Sequence, residues 1–136
     1  MVRYIVVSLV SGILFGIMDG VINANPLART LYEVYRPIAK TSPNVMAGIL
    51  IDIAYGFILA AIFLTLYEGL PGQSGIVKGL SYAILIWFFR AVMYAASTWI
   101  MYNVPIQTIG YGLLAGLVEM LVLGILFGVT LKPFNQ

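Results

Sequence analysis

Four ionisable side chains interrupt the apolar stretches of this 136-residue chain: Asp19, Asp52, Arg90 and Glu119. An ionised group at the centre of a bilayer costs about 2.5 to 3.5 kcal/mol on insertion scales, so each of these groups needs a partner. Counted from the ends of their stretches at about 1.5 Å per residue, Arg90 and Glu119 both reach the midplane. We therefore expect them to form an ion pair.

The charges of these four side chains do not balance. Three acids accompany a single deep base, and an interior of low dielectric constant does not tolerate the excess negative charge. The sequence therefore predicts that Asp52 or Glu119 carries a proton in the neutral pH range. Asp19 lies near the edge of its stretch, close to the basic residues of the next connection, which are Arg29, Arg36 and Lys40.

Polar and aromatic neighbours extend the charged set. Helical spacing of three and four residues aligns Arg90 with Tyr94 and Ser97. We define the polar seam as Asp19, Asp52, Tyr55, Trp87, Arg90, Tyr94 and Glu119. Such a seam is typical of a proton path, a small-ion site or a site that holds an organic cation against aromatic faces. The alternative is a buried ion-pair network that only fixes the register of the helices.

Enzyme chemistry is not expected from this chain. It contains no Cys and no His, which excludes thiolate nucleophiles, the usual general base and almost every zinc or haem site. Ser74 lies in a Gly-x-Ser-Gly segment but has no His to activate it. The net charge of +2 is too small and too scattered for nucleic acid. We predict no catalytic residue, no metal, no cofactor and no nucleic-acid partner.

The amino-acid composition indicates that lipid surrounds the chain. Hydrophobic residues make up 62% and charged residues 9%, whereas a soluble domain carries about 25% charged residues. Four apolar stretches of spanning length cover residues 4–22, 45–67, 77–102 and 106–131. They are too long for barrel strands and lack alternation. The predicted fold class is an all-α, multi-pass integral membrane protein with one domain, 1–136, of four transmembrane helices.

The long connection between the first two spans contains its own helix signal. Asn25 is a favourable N-cap and Pro26 a favourable first residue, so we predict a short interfacial helix there. The orientation in the membrane stays open. Three basic residues flank each side, namely Arg3, Lys78 and Lys132 on one and the three of the first connection on the other.

Small residues mark the faces on which the helices are expected to pack. The predicted contact glycines are Gly12, Gly16, Gly20, Gly48, Gly56, Gly112, Gly116, Gly124 and Gly128. Small residues four apart let helix backbones approach closely in lipid. A shift of 67 residues also aligns Gly12 with Gly79 and Asp52 with Glu119. It predicts two tandem helical hairpins related by an axis along the membrane normal.

Two functional hypotheses follow. In the first, the chain is a small transporter or an ion- or proton-pathway component that uses Asp52, Arg90 and Glu119. In the second, it is a non-catalytic accessory subunit of a larger membrane complex, whose charges are structural and whose glycines contact partner helices. In both, the expected partners are the lipid bilayer and either further copies of the chain or other membrane subunits.

Overall fold

The computed structural model describes residues 1–133, which contain helices and no strand. Four helical segments are long and apolar enough to cross a membrane: Val2–Ala24, Val45–Leu66, Gly75–Met101 and Ile106–Thr130. They confirm the predicted four-helix membrane fold. The predicted bounds differ from the observed ones by no more than two residues at either end of any span.

The helices are numbered in chain order. They are α1 (Val2–Ala24), α2 (Pro26–Leu31), α3 (Val45–Leu66), α4 (Gly75–Trp87), α5 (Met93–Met101) and α6 (Ile106–Thr130). A 3₁₀ helix, Tyr32–Ile38, follows α2, and a π-helical turn, Phe88–Val92, joins α4 to α5 into the third span. The Asn25 side chain accepts a hydrogen bond from the backbone N–H of Ala28, which confirms the predicted cap.

Helix α3 runs from the first connection, residues 25–44, to the second connection, residues 67–74. The two connections therefore lie at opposite ends of the bundle, on opposite sides of the membrane. We call these the first-connection face and the second-connection face. Helix α1 packs along α3, and the third span packs along α6, which agrees with two helical hairpins. Helix α1 also touches α6 and so joins the hairpins.

Both hairpins cross where two glycines meet. A Cβ atom added to Gly56 would meet the backbone of Ser8 and Gly12, and one added to Gly79 would meet the backbone of Gly124. Side chains at these positions would therefore force the helices apart. The 67-residue shift aligns Gly12 with Gly79, and both residues occupy helix crossings. The symmetry axis itself stays a prediction.

Three of the nine predicted contact glycines make no close contact. Gly20, Gly48 and Gly112 have no atom within 4 Å of an added Cβ. All three lie within about 9 Å of the first-connection face, at about 1.5 Å per residue, where the helices pack less closely. The other six lie against neighbouring side chains or backbone. Gly75 is a further contact residue outside the predicted set, because its Cβ would meet the backbone of Gly128.

Aromatic side chains fill the half of the bundle next to the second-connection face. The ring of Phe63 lies 5.2 Å from that of Tyr82 and 5.8 Å from that of Phe127, centroid to centroid. The Tyr82 hydroxyl donates to the Leu59 carbonyl at 2.7 Å, so its polar atom is satisfied inside the core. This half of the molecule is densely packed.

Candidate functional site

Arg90 and Glu119 form the ion pair that the sequence predicts. Arg90 Nη1 donates to Glu119 Oε2 at 2.8 Å. The two residues lie about 17 and 20 Å from the first-connection ends of α5 and α6, at about 1.5 Å per residue, which places both near mid-membrane. The Glu119 side chain is 4% exposed and that of Arg90 31%. Arg90 is therefore the accessible partner.

Arg90 lies at the centre of the π-helical turn Phe88–Val92. A π-turn holds an extra residue and is frequent at functional sites. It also changes which later residues face the bundle. Thr98 is buried, whereas Ser97 is exposed and its hydroxyl donates to the Met93 carbonyl. The prediction that Ser97 continues the Arg90 stripe was wrong, because it assumed an uninterrupted α-helix.

The guanidinium of Arg90 also contacts two aromatic rings. Its central carbon lies 4.9 Å from the ring centroid of Phe15 and 5.8 Å from that of Tyr55. The two rings are stacked, with an interplanar angle of 11°. Cation–π contacts of this kind are worth about 0.5 to 2 kcal/mol. Arg90 thus links the third span to α1 and α3 as well as to α6.

A cavity of about 500 Å³ adjoins this ion pair. The end of α1, the 3₁₀ helix, α5 and the first half of α6 form its wall. Its ionisable lining residues are Asp19, Tyr32, Tyr35, Arg90, Tyr94 and Glu119. All of them lie between the first-connection face and the midplane. Aromatic side chains fill the interior of the other half. A second pocket there, of about 380 Å³, lies between the end of α3, the second connection and α4 and includes neither Arg90 nor Glu119 in its wall.

The polar seam does not form one continuous set. Asp19, Arg90, Tyr94 and Glu119 line the cavity, whereas Asp52, Tyr55 and Trp87 do not. The Trp87 indole N–H donates to the Leu113 carbonyl at 2.9 Å and so fastens α4 to α6.

Asp52 occupies a notch between α1 and α3 outside the cavity. A Cβ atom on Gly16 would lie 2.8 Å from Asp52 Oδ2, so the missing side chain makes room for the carboxylate. Within residues 1–133 no hydrogen-bond donor reaches this carboxylate. Asp52 and Glu119, which the 67-residue shift aligns, therefore have different environments.

Asp19 is bound by an amide and not by a base. Asn23 Nδ2 donates to Asp19 Oδ1 at 2.8 Å, and no salt bridge to Asp19 forms within the described residues. The expected approach of basic residues from the first connection was therefore wrong. Arg36 is exposed and pairs with Glu33 at 2.7 Å, because the 3₁₀ helix directs both side chains to the surface.

Two acidic groups act on the Tyr32 phenol at the cavity wall. Burial raises the pKa of the Tyr32 phenol, and its neighbours raise it further, in the order Tyr111, Tyr35, Asp19 and Glu119. Among the described residues no basic group lowers this pKa. Asp19 and Glu119 therefore disfavour a further negative charge at this part of the wall.

Hydrogen bonds from α6 hold the first connection beside the cavity. Thr108 Oγ1 donates to the Leu31 carbonyl and the Tyr111 hydroxyl to the Ile22 carbonyl, both at 2.6 Å. Asn25 Nδ2 donates to the Tyr111 hydroxyl at 2.7 Å. Tyr111 was not among the predicted site residues. A polar group in the second turn of an apolar span was the available signal.

Comparison with protein-family models, with curated proteins and with solved structures gives no match to this chain. The fold alone sets its class, which is a multi-pass membrane protein with four membrane helices.

Proposed function

We propose that the chain is a small membrane transport protein, or the ion- or proton-pathway component of one, and that its cargo enters the cavity that ends at Arg90 and Glu119. The observation that carries this proposal is the division of the bundle. One half holds a cavity that reaches the midplane ion pair, and aromatic packing in the interior of the other half separates this pair from the pocket at the second connection. A midplane site reached from one side at a time is what alternating access requires.

The ion pair has the features of a two-state element. A single hydrogen bond joins Arg90 to Glu119, and the Arg90 side chain is partly exposed. A proton or a cationic cargo that competes for Glu119 would release Arg90, and the rings of Phe15 and Tyr55 would retain the freed guanidinium. Occupancy of the cavity then biases the helices between two arrangements.

The contacts of Arg90 favour this role over a network that only fixes helix register. A purely structural network would enclose Arg90 between both Asp52 and Glu119 with no adjoining space. Arg90 instead bonds to Glu119 alone, and the cavity lies against that bond.

Proton flux into liposomes tests the proposal. Purified protein is reconstituted around a trapped pH-sensitive dye, and a pH gradient is imposed under a clamped membrane potential. We expect the wild type to dissipate the gradient faster than empty liposomes and Glu119→Gln to match empty liposomes. Glu33→Gln is the matched control, because Glu33 is exposed on the first connection. Equal flux in the wild type and Glu119→Gln, or no wild-type flux under any gradient, would contradict the proposal.

Asp52 favours a second candidate, the accessory subunit. Its carboxylate lies about 10 Å below the first-connection face, at about 1.5 Å per residue, and has no donor within residues 1–133. A helix of another subunit that carries a donor would satisfy it. Purification in mild detergent distinguishes the candidates. A stable homo-oligomer supports the transport protein, whereas larger subunits that co-purify and are released by Asp52→Asn support the accessory role.

A further inference from the structure

We infer that the cavity binds a small monovalent organic cation, whose charge lies at Asp19 and whose body lies against the rings of Tyr32 and Tyr35. This inference rests on the proposed function, because it names the cargo class of the same cavity.

The charges of the cavity wall leave one carboxylate uncompensated. Arg90 neutralises Glu119 through their hydrogen bond at 2.8 Å. Asp19 has only the neutral amide of Asn23 as a hydrogen-bond donor, and no salt bridge reaches it within the described residues. Two acids and one base therefore give the wall one net negative charge. An anionic cargo would have to displace Glu119 from Arg90, whereas a cation meets Asp19 directly.

The aromatic groups near Asp19 suit an organic cation. The ring centroids of Tyr32 and Tyr35 are 6.0 Å apart, and the rings meet at 48°, so they form two walls of a corner. Tyr94 lies at the outer rim of the same cavity. Electron-rich ring faces attract ammonium groups. A divalent metal ion needs a cage of several oxygen ligands, and no group of three His, Cys, Asp or Glu side chains within residues 1–133 provides it.

The volume of the cavity and its apolar lining agree with a small organic molecule. A volume of about 500 Å³ falls within the range of about 300 to 1,000 Å³ that is usual for small-molecule sites. Apolar side chains line the wall beside the charged groups: Ala91, Ala95, Ile109 and Leu113. They can contact alkyl groups while Asp19 holds the charge.

Equilibrium dialysis with labelled tetraethylammonium tests this inference on the purified full chain at constant ionic strength. We expect saturable binding to the wild type and an affinity at least about tenfold lower in Asp19→Asn, because the charge at the cation is lost. Glu33→Gln is the matched control and should bind within about twofold of the wild type, because Glu33 is exposed, pairs with Arg36 and does not line the cavity. The amide introduced by Asp19→Asn keeps an oxygen that can accept the hydrogen bond from Asn23. Circular dichroism checks that the variant retains its helices.

A second variant separates the aromatic contribution from the charge. Tyr35→Leu keeps the net charge and removes one ring, so we expect a three- to tenfold loss, about the strength of one cation–π contact. Absence of saturable tetraethylammonium binding, equal affinity in Asp19→Asn, or stronger binding of benzoate than of tetraethylammonium would overturn the inference. If tetraethylammonium fails while Glu119-dependent proton flux is present, the cargo class is wrong and the transport proposal stands.

Discussion

Arg90 and Glu119 meet at mid-membrane through one hydrogen bond of 2.8 Å, yet their side chains are unequally enclosed. Glu119 is 4% exposed, so its charge depends on Arg90. Arg90 is 31% exposed and has two further ring contacts, at Phe15 and Tyr55. Removal of Arg90 and removal of Glu119 should therefore destabilise the fold by different amounts.

Substitution of the two partners should show this asymmetry in the free energy of unfolding. Arg90→Met leaves Glu119 buried without a partner and should cost about 3 to 5 kcal/mol. Glu119→Gln leaves Arg90 with its rings and the cavity, so we expect a cost of about 1 to 2 kcal/mol. The double variant should cost less than the sum. Unfolding in bicelles measures the cycle, and additive costs would show that the pair is not coupled.

The glycine crossing of the second hairpin should not tolerate a methyl group. A Cβ on Gly79 would meet the Gly124 backbone, so Gly79→Ala should cost about 1 to 3 kcal/mol. Gly48→Ala is the matched control, because nothing lies within 4 Å of its Cβ. It should be neutral or stabilising by up to about 1 kcal/mol, since Ala is the better helix former. Thermal unfolding in detergent compares the two, and equal effects would contradict the crossing.

Two asparagine caps should differ in their contribution to stability. Asn25 accepts from the Ala28 N–H and also donates to the Ile22 carbonyl and the Tyr111 hydroxyl. Asn44 caps α3 through the Ala47 N–H and is exposed. Asn25→Ala should cost about 1 to 2 kcal/mol, the upper part of the usual range for a cap, and Asn44→Ala about 1 kcal/mol or less. Asn25→Ala should also accelerate proteolysis of the first connection, and unchanged proteolysis would argue against its anchoring role.

The titration of the Tyr32 phenol should report the negative charge of Asp19. Its pKa is raised above the usual 10.0, chiefly by burial. The folded chain therefore binds this proton more tightly than the unfolded chain. The associated stability is present below about pH 10 and is lost as the pH rises through the raised value.

Phenolate absorbance, taken as the difference between the wild type and Tyr32→Phe, measures this titration. In Asp19→Asn the Tyr32 pKa should be lower than in the wild type, because Asp19 is one of the groups that raise it. Glu33→Gln serves as the control and should leave it unchanged. An unchanged Tyr32 pKa in Asp19→Asn would mean that the charge of Asp19 does not act on this phenol.

The sequence was enough to predict the features that depend on the free energy of transferring side chains from water to lipid. Apolar length set the four spans, and the cost of a buried charge indicated that Arg90 and Glu119 would pair. Depth along each helix is countable from the sequence, so the match between these two residues was predictable.

The features that depend on helix rotation were not predictable. The π-turn at Phe88–Val92 changes the facing of every later residue of the third span, and its sequence carries no Gly or Pro to mark it. For the same reason the sequence did not distinguish Asp52, which faces Gly16, from Asp19, which faces the cavity. Composition alone also did not show that Gly20 and Gly48 lie outside the helix crossings.

Cysteine labelling tests most directly whether the cavity is a route for water from one face to the midplane. The chain contains no Cys, so each introduced thiol is unique. Ala115 lines the cavity, and Ala60 is fully buried in the other half of the bundle. Ala39→Cys and Gln73→Cys mark the first-connection and second-connection faces.

A membrane-impermeant thiosulfonate is applied to vesicles of each orientation. We predict that Ala115→Cys reacts from the face that labels Ala39→Cys, and that Ala60→Cys reacts from neither face. Two results would contradict a cavity that is open to the first-connection face. In one, Ala115→Cys resists the reagent from both faces; in the other, it reacts from the face that labels Gln73→Cys.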